Sequence, residues 1–209
     1  MAFGNKVPLL IPSGDGYREA AVSLVGNFNA IAFDFVARQK VQGQTLNLFI
    51  IEQLPVIPPD AYTRRFGALT AGEIVAREVL ALTYTAHDMA PFARDLGYLA
   101  PTPQGEGDRP AQPGGGGGSP PATTSDERPV LPPFRWDEAD RRQRRARLDA
   151  LYFHLYGIGR HDADYILSTF PIVRRHDEAA HGRFLTRDLI LAHMAALEAG
   201  DTEAIIVPR

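Results

Sequence analysis

The stretch from Phe35 to Pro59, FVARQKVQGQTLNLFIIEQLPVIPP, contains side chains suited to binding a nucleic acid. Arginine and lysine suit phosphate oxygens and guanine edges, and glutamine can pair bidentately with adenine. Glycine permits a tight turn or a close approach of the backbone. The candidates are Arg38, Gln39, Lys40, Gln42, Gly43 and Gln44. A solvated helix end, whose cations complement the helix dipole, is the alternative interpretation.

A second basic segment, DEADRRQRRARLD, has five arginines: Arg141, Arg142, Arg144, Arg145 and Arg147. Such a run could hold phosphates, with an affinity that falls steeply as salt rises. However, acidic side chains within a turn or two offer i, i+4 partners: Asp137, Glu138, Asp140 and Asp149. The pattern therefore favours a salt-bridged, solvated helix face.

The remaining polar motifs do not predict catalysis. A zincin-type helix needs two histidines four residues apart, whereas His176 and His181 in HDEAAH are five apart. Pro171 and Gly182 flank this motif and suggest a loop, so we expect no metal site. The serines lie in no Gly-x-Ser-x-Gly elbow. From its residues the chain is a binding or interaction module before it is an enzyme.

Composition limits the class of protein. With 209 residues, 44% hydrophobic and 22% charged, the chain is typical of one globular domain, or of one domain plus an appendage. The net charge of −3 means that any DNA-binding surface is a local patch. The lack of cysteine excludes disulfides and thiolate metal sites. The first apolar residues are too few for a signal peptide or a membrane span, so we expect a soluble, cytoplasmic protein with no membrane partner.

Composition also divides the chain into three regions. Residues 101–134 are dominated by proline, glycine and small polar residues, and we expect a flexible linker there. Residues 1–100 precede it, and residues 135–209 have a helical character.

Before the linker, the periodicity predicts one helix from Tyr17 to Gln39. Its apolar stripe is Ala21, Leu24, Val25, Phe28, Ile31, Ala32, Phe35 and Val36. The run LNLFIIEQL predicts a mostly buried strand that ends at Pro55, Pro58 and Pro59. A second helical stretch begins with a capping box of Thr70 and Glu73 and is interrupted by Pro91.

After the linker, three helices are predicted. The first spans about 136 to 156 and ends at Gly157. The second, HDADYILSTF, is closed by Pro171. The third has Thr186 as its N-cap and Gly200 past its end.

Two long stretches resemble a known family. NFNAIAFDFVARQKVQGQTLNLFIIEQLPVIPP resembles the C-terminal target-recognition (TaqI-like specificity) region of large adenine-N6 DNA methyltransferases. These include type IIG restriction-modification proteins and the methylases of BREX- and DISARM-like phage-defence systems. YGIGRHDADYILSTFPIVRRHDEAAHGRFLTRDLILAHMAAL is similar to the tail of the same proteins. With GNKVPLLIP near the start, the resemblance covers roughly 4–98 and 150–197.

The resemblance implies an α+β fold. It would comprise a small α/β target-recognition domain with trailing helices in residues 1–100, the long linker, and the helical C-terminal region. In the family pattern Arg38, Gln39, Lys40, Gly43, Leu46 and Asn47 match the elbow, whereas Gln42, Gln44 and Thr45 depart from it. By the same resemblance Asn47 joins the DNA-binding candidates. Arg174 and Arg175 could add phosphate contacts or face a methyltransferase core.

The implied function is a DNA-binding specificity module of a site-specific adenine-N6 methyltransferase. The chain has no Asn-Pro-Pro-Tyr-type loop; its nearest segment, LPPF at 131–134, offers Leu131 where an amide is needed. We therefore expect no cofactor and no catalytic residue in this chain. S-adenosylmethionine and catalysis would belong to a partner core, and double-stranded DNA would be the ligand. The alternative is a structural docking subunit of a defence complex, without base contacts.

Overall fold

A computed structural model describes residues 17–41, 47–101 and 128–207. Before the gap at 102–127 the α-helices are α1 (Tyr17–Phe28), α2 (Ile31–Lys40), α3 (Leu48–Ile51), α4 (Ala71–Thr83) and α5 (Ala90–Asp95). After it they are α6 (Glu138–Leu155), α7 (Arg160–Ser168), α8 (Pro171–His181) and α9 (Leu185–Glu198). Strands β1 (Arg65–Phe66) and β2 (Leu69–Thr70) pair antiparallel, and short 3₁₀ helices occupy Pro59–Thr63 and His87–Met89.

The described part of the chain is thus mostly helical with a small antiparallel sheet, which agrees with the α+β class in its broad sense. None of these helices by itself combines the length and apolar composition that crossing a membrane requires. Only α1 and α2 meet that requirement, and only when they are taken together across a 69° bend.

The single helix predicted from Tyr17 to Gln39 is wrong, because the run forms two helices. The break lies at Asn29 and Ala30, and Ala30 has an extended backbone. Just before it, the fully buried Asn27 uses its Oδ1 to accept the backbone N–H of Ile57 at 2.9 Å. A side chain that satisfies the backbone of another segment fixes the direction of the chain there and favours a helix end.

The bend also changes which face is buried. Val22 and Phe33 are almost fully buried, although neither belongs to the predicted stripe. Val25, which does belong to it, is 40% exposed, and Leu24 and Phe28 are half-buried. One uninterrupted helical period therefore cannot describe both helices.

The predicted strand LNLFIIEQL is also wrong, since Leu48–Ile51 form the single helical turn α3. A buried strand needs neighbouring strands and a covering layer. Here Leu48 is 51% and Phe49 is 59% exposed, and β1 with β2 forms the only sheet among the described residues. The prolines that follow cannot donate to a ladder, and after a turn at Glu52 and Gln53 the residues from Pro55 to Pro58 form neither helix nor strand.

The β1–β2 hairpin explains two glycines. Gly67 turns the hairpin with φ of +60°, and Gly200 follows α9 with φ of +80°. The two backbones meet, so that a Cβ on Gly67 would collide with the carbonyl oxygen of Gly200. Gly200, the glycine predicted past the end of the last helix, therefore also lies where the hairpin meets the end of α9.

Two helix-start predictions have different outcomes. The capping box of α4 is confirmed: the Thr70 hydroxyl accepts the N–H of Glu73 at 3.2 Å, and the Glu73 carboxylate accepts the N–H of Thr70 at 2.7 Å. Thr186, by contrast, is not the cap of α9, which begins at Leu185. Its N–H donates instead to Asp177 Oδ2 at 2.6 Å, so a side chain of α8 accepts a hydrogen bond from the first turn of α9.

The predicted helices after the linker are confirmed in α6 and α7, and Gly157 follows α6 with φ of +70°. The loop expected at HDEAAH is wrong, because these residues complete α8. Pro171 occupies the first turn of that helix, where its missing N–H costs nothing, and Gly182 ends it.

Helices from both sides of residues 102–127 share one hydrophobic core. α6 packs against α9, α4 lies against α1 and α6, and α2 contacts α6 and α7. Val22, Ile74, Leu151 and Leu189 all belong to the same buried cluster. The described residues before the gap therefore share their core with the C-terminal helices.

The end of the segment predicted as a flexible linker is ordered, which corrects its boundary. Val130 forms an antiparallel bridge with Leu99, and the hydroxyl of Tyr84 donates to the carbonyl of Leu131 at 2.9 Å. Phe134 stacks on Tyr98 beside a small second core. Residues 102–127 lie outside the described residues.

Candidate nucleic-acid interface

The basic end of α2 is exposed, and Arg38 is its best-defined member. Its Nε and one terminal nitrogen donate to Asp34 Oδ2 at 3.0 and 2.8 Å. This hydrogen bond raises the pKa of the Arg38 guanidinium, which keeps its charge at any working pH. Gln39 and Lys40 beside it are exposed as well.

Arg38 also connects α2 with α8. Its guanidinium carbon lies 4.8 Å from the centroid of the Phe170 ring, in cation–π geometry. Phe170 immediately precedes α8, and its carbonyl accepts the backbone N–H of Arg174 at 3.1 Å. Arg38 thus contacts the residue that precedes α8, the helix that contains Arg174 and Arg175.

We call this set of exposed side chains the α2–α8 surface: Arg38, Gln39, Lys40, Arg174 and Arg175. Arg174 donates to Glu178 Oε1 at 2.7 Å, one turn along α8. Exposed i, i+4 pairs of this kind contribute only about 0.3–0.5 kcal/mol. A DNA phosphate can therefore replace either carboxylate, Asp34 or Glu178, at small cost.

The elbow between α2 and α3 is only partly described. Gln42, Gly43 and Gln44 lie outside the described residues. Asn47 is exposed at the start of α3, and its side chain makes no cap hydrogen bond. The amide of Asn47 therefore caps no helix and is not buried in the core. A side chain that reads bases must be exposed in this way.

The segments that flank the elbow are held by polar groups that the sequence analysis missed: one at the start of α2 and one after α3. The backbone N–H of Ile31, at the start of α2, donates to Asp149 Oδ1 on α6 at 2.8 Å. After α3, the hydroxyl of Tyr156 donates to the carbonyl of Pro55 at 2.8 Å and accepts from Asn27 Nδ2 at 2.6 Å. The signal available in the sequence was the unusual asparagine, Asn27, within an apolar helical run.

The arginine-rich helix serves mainly to hold the fold. Glu78 on α4 is fully buried and accepts hydrogen bonds from Arg77, Arg144 and Arg147 at 2.7–3.0 Å. Arg147 also donates to the carbonyl of Ala204, which fixes the chain after α9.

The expected i, i+4 pairing is confirmed for Arg144 with Asp140, at 2.7 Å. Arg145 pairs instead with Glu138, seven residues away. Asp149, which was expected to pair with an arginine, accepts the backbone of α2 instead. The interpretation of this helix as a solvated face is thus correct for its first turn and for Arg145, whereas residues 141–144 are half-buried and Arg147 is buried.

His176 and His181 are exposed on α8. Within residues 17–41, 47–101 and 128–207, no group of three or more potential ligands is arranged to hold a metal ion. Comparison of the chain with protein-family models, with curated proteins and with solved structures gives no match.

Proposed function

We propose that this protein is the DNA-binding specificity module of a site-specific adenine-N6 DNA methyltransferase. The observation that carries the proposal is the contact of Arg38 with Phe170. It joins the basic end of α2 to the start of α8, which has Arg174 and Arg175 in its first turns. A basic patch formed by these side chains would be local, as the net charge of −3 requires.

In this proposal the two parts of the surface have different roles. Arg38, Lys40, Arg174 and Arg175 contact phosphates and set the register of the protein on the duplex. Gln39, Asn47 and the elbow side chains Gln42 and Gln44, beside Gly43, read base edges, because amides present a donor and an acceptor together. Asp149 holds the start of α2, and Asn27 and Tyr156 hold the chain after α3, so the elbow would be carried between two fixed segments.

Methyl transfer would occur in a partner chain or domain in the cytoplasm. That core would bind S-adenosylmethionine and receive the target adenine after it is flipped out of the duplex. The present chain would supply sequence recognition alone.

The test is fluorescence anisotropy of the full chain with labelled double-stranded DNA between 50 and 200 mM salt. Phosphate contacts give an affinity that falls linearly on logarithmic axes, with a slope of about −0.9 for each phosphate contact. The double substitution of Arg38→Ala with Lys40→Ala should weaken binding and reduce that slope by about 1.8.

The matched control removes two positive charges elsewhere, by Arg135→Ala with Arg142→Ala, and should leave the slope unchanged. Unaltered DNA binding by the Arg38 and Lys40 variant would contradict the assignment of the surface. If the chain alone binds too weakly, the same comparison is made with the methyltransferase core added.

One observation favours the second candidate, a docking subunit without base contacts. The apolar stripe of α1 and α2 is largely used in packing within the chain. Leu48, Phe49 and Val56, however, are 51%, 59% and 40% exposed on the segment after the elbow. A partner bound through these side chains would show little dependence on salt, which separates the two functions in the same titration.

A further inference from the structure

A groove of about 560 Å³ lies between α1, α4 and α6, away from the α2–α8 surface. Its apolar lining includes Val25, Leu82 and Leu148. This volume is in the range of small-molecule sites, which combine apolar walls with a few polar groups. The charged groups of the groove come from α6. Trp136, just before the N-cap of that helix, adds an aromatic side chain.

Trp136 gives the groove a flat aromatic wall. Its side chain is 61% exposed, although tryptophan has the largest apolar surface of any residue. The guanidinium carbon of Arg141 lies 3.7 Å from the centroid of the ring and covers part of it. The rest of the ring remains available for a second planar group.

The polar groups of the groove are balanced in charge. Arg145 pairs with Glu138 at 2.9 Å, and Arg141 donates to the carbonyl of Leu82 at 3.0 Å. The Nε of Arg141 is buried and has no hydrogen-bond partner in the described structure. Asp149 lines the same groove and uses Oδ1 for the N–H of Ile31. The Nε of Arg141 has almost no accessible surface, whereas the Asp149 carboxylate has spare acceptor capacity that a ligand can satisfy.

These groups restrict the ligand. The two arginines make binding of a cation unfavourable, and the two carboxylates, Glu138 and Asp149, make binding of an anion unfavourable. A neutral molecule must therefore offer donors to Asp149 on one edge and acceptors to the guanidinium groups on another. The aromatic wall favours a planar molecule.

We propose that this groove binds a neutral, planar heteroaromatic molecule of the nucleobase type, with guanine as its best match. The adjacent N–H donors on one edge of guanine fit the two oxygens of a carboxylate. Its O6 and N7 accept from arginine. None of the residues that line the groove belongs to the α2–α8 surface, although Asp149 also holds the start of α2.

Burial raises the pKa of the Asp149 carboxyl to about 7, against the effects of the Ile31 hydrogen bond and of Arg145. The charged groups around it are Arg141, Arg145 and Glu138 on α6, and the described lining from α1 and α4 contains no titratable side chain. The paired donors of guanine need the ionised carboxylate. Affinity should therefore rise as the pH increases through about 7.

Trp136 is the only tryptophan in the chain and reports directly on this groove. Guanosine should quench its fluorescence saturably in the full chain, and adenosine and cytidine should do so about tenfold more weakly or not at all. Asp149→Asn keeps an acceptor oxygen for the N–H of Ile31 but places an NH2 group against one of the guanine donors. Guanosine affinity should therefore fall about tenfold. Arg145→Gln, on the acceptor side, should also weaken binding.

The control is Asp162→Asn, which changes an exposed carboxylate on α7. Circular dichroism and thermal melting of each variant establish that it is folded. Quenching that never saturates, or equal quenching by all three nucleosides, would overturn the proposal. So would unchanged guanosine affinity in both folded variants, Asp149→Asn and Arg145→Gln.

Discussion

Glu78 offers the sharpest test of how this fold is held together, through the substitution Glu78→Gln. Its carboxylate is fully buried among three guanidinium groups. Arg144 and Arg77 have further carboxylate partners, Asp140 and Glu203, which are largely exposed. Arg147, whose side chain is only 8% exposed, has no other carboxylate partner among the described residues.

The expected cost follows from the position of Arg147. Removing one member of a buried ion pair leaves the other charge uncompensated and costs about 3–5 kcal/mol. For a chain of this size each kcal/mol lowers the melting temperature by about 2–4 °C. Glu78→Gln should therefore lower it by roughly 6–20 °C. Thermal unfolding followed by circular dichroism measures the change.

Two further variants check the reasoning. Asp140→Asn removes only an exposed partner of Arg144 and should cost less than about 1 kcal/mol. Glu78→Gln combined with Arg147→Met removes both buried charges and should recover most of the lost stability. A loss below about 1 kcal/mol for Glu78→Gln alone would refute the assignment of a buried, mutually dependent pair.

Three other predictions concern the fold. Gly67→Ala should destabilise the protein by several kcal/mol in chemical denaturation, whereas Gly97→Ala, which has a similar φ but open space, should cost only about 1–2 kcal/mol. Burial lowers the pKa of His193 from 6.5 to about 4, so the unfolded state binds more protons between those values and stability should rise with pH there. Asp149 has the opposite effect, because its raised pKa in the folded state makes stability fall as the pH increases. Asp149→Asn removes this opposing effect, so the increase in stability from His193, of about 3 kcal/mol, should become visible in that variant. Tyr156→Phe should lower the free energy of unfolding by about 1–3 kcal/mol because it leaves a buried amide without its partner, which urea titration measures.

The elements that were correctly predicted are those with local signals. The start of α4 follows from the Thr70 and Glu73 pair, and the end of α6 follows from Gly157. In each case a few neighbouring residues supply and satisfy the hydrogen bonds of the helix end. No distant contact is needed to decide them.

The incorrect predictions depended on distant residues. The break between α1 and α2 is fixed by Asn27 and Asp149, whose partners lie in other parts of the chain. The apolar run after the elbow resembles a strand, but the described residues provide no strand beside it. The candidate site shows the same limit: the sequence identifies Arg38 and Arg174 separately, whereas the contact of Arg38 with Phe170, just before the helix of Arg174, is a property of the fold.

The shared core has a consequence for the order of events during synthesis. Ile74 on α4 is buried in the same cluster as Leu151 on α6, which leaves the ribosome later. At typical elongation rates the chain between them takes roughly 4–15 s to make. During that interval the nascent α1 and α4 cannot complete their burial and present apolar surface to the cell. Production of this protein should therefore depend on chaperones that bind nascent chains, and a ribosome stalled before α6 should leave a product that aggregates.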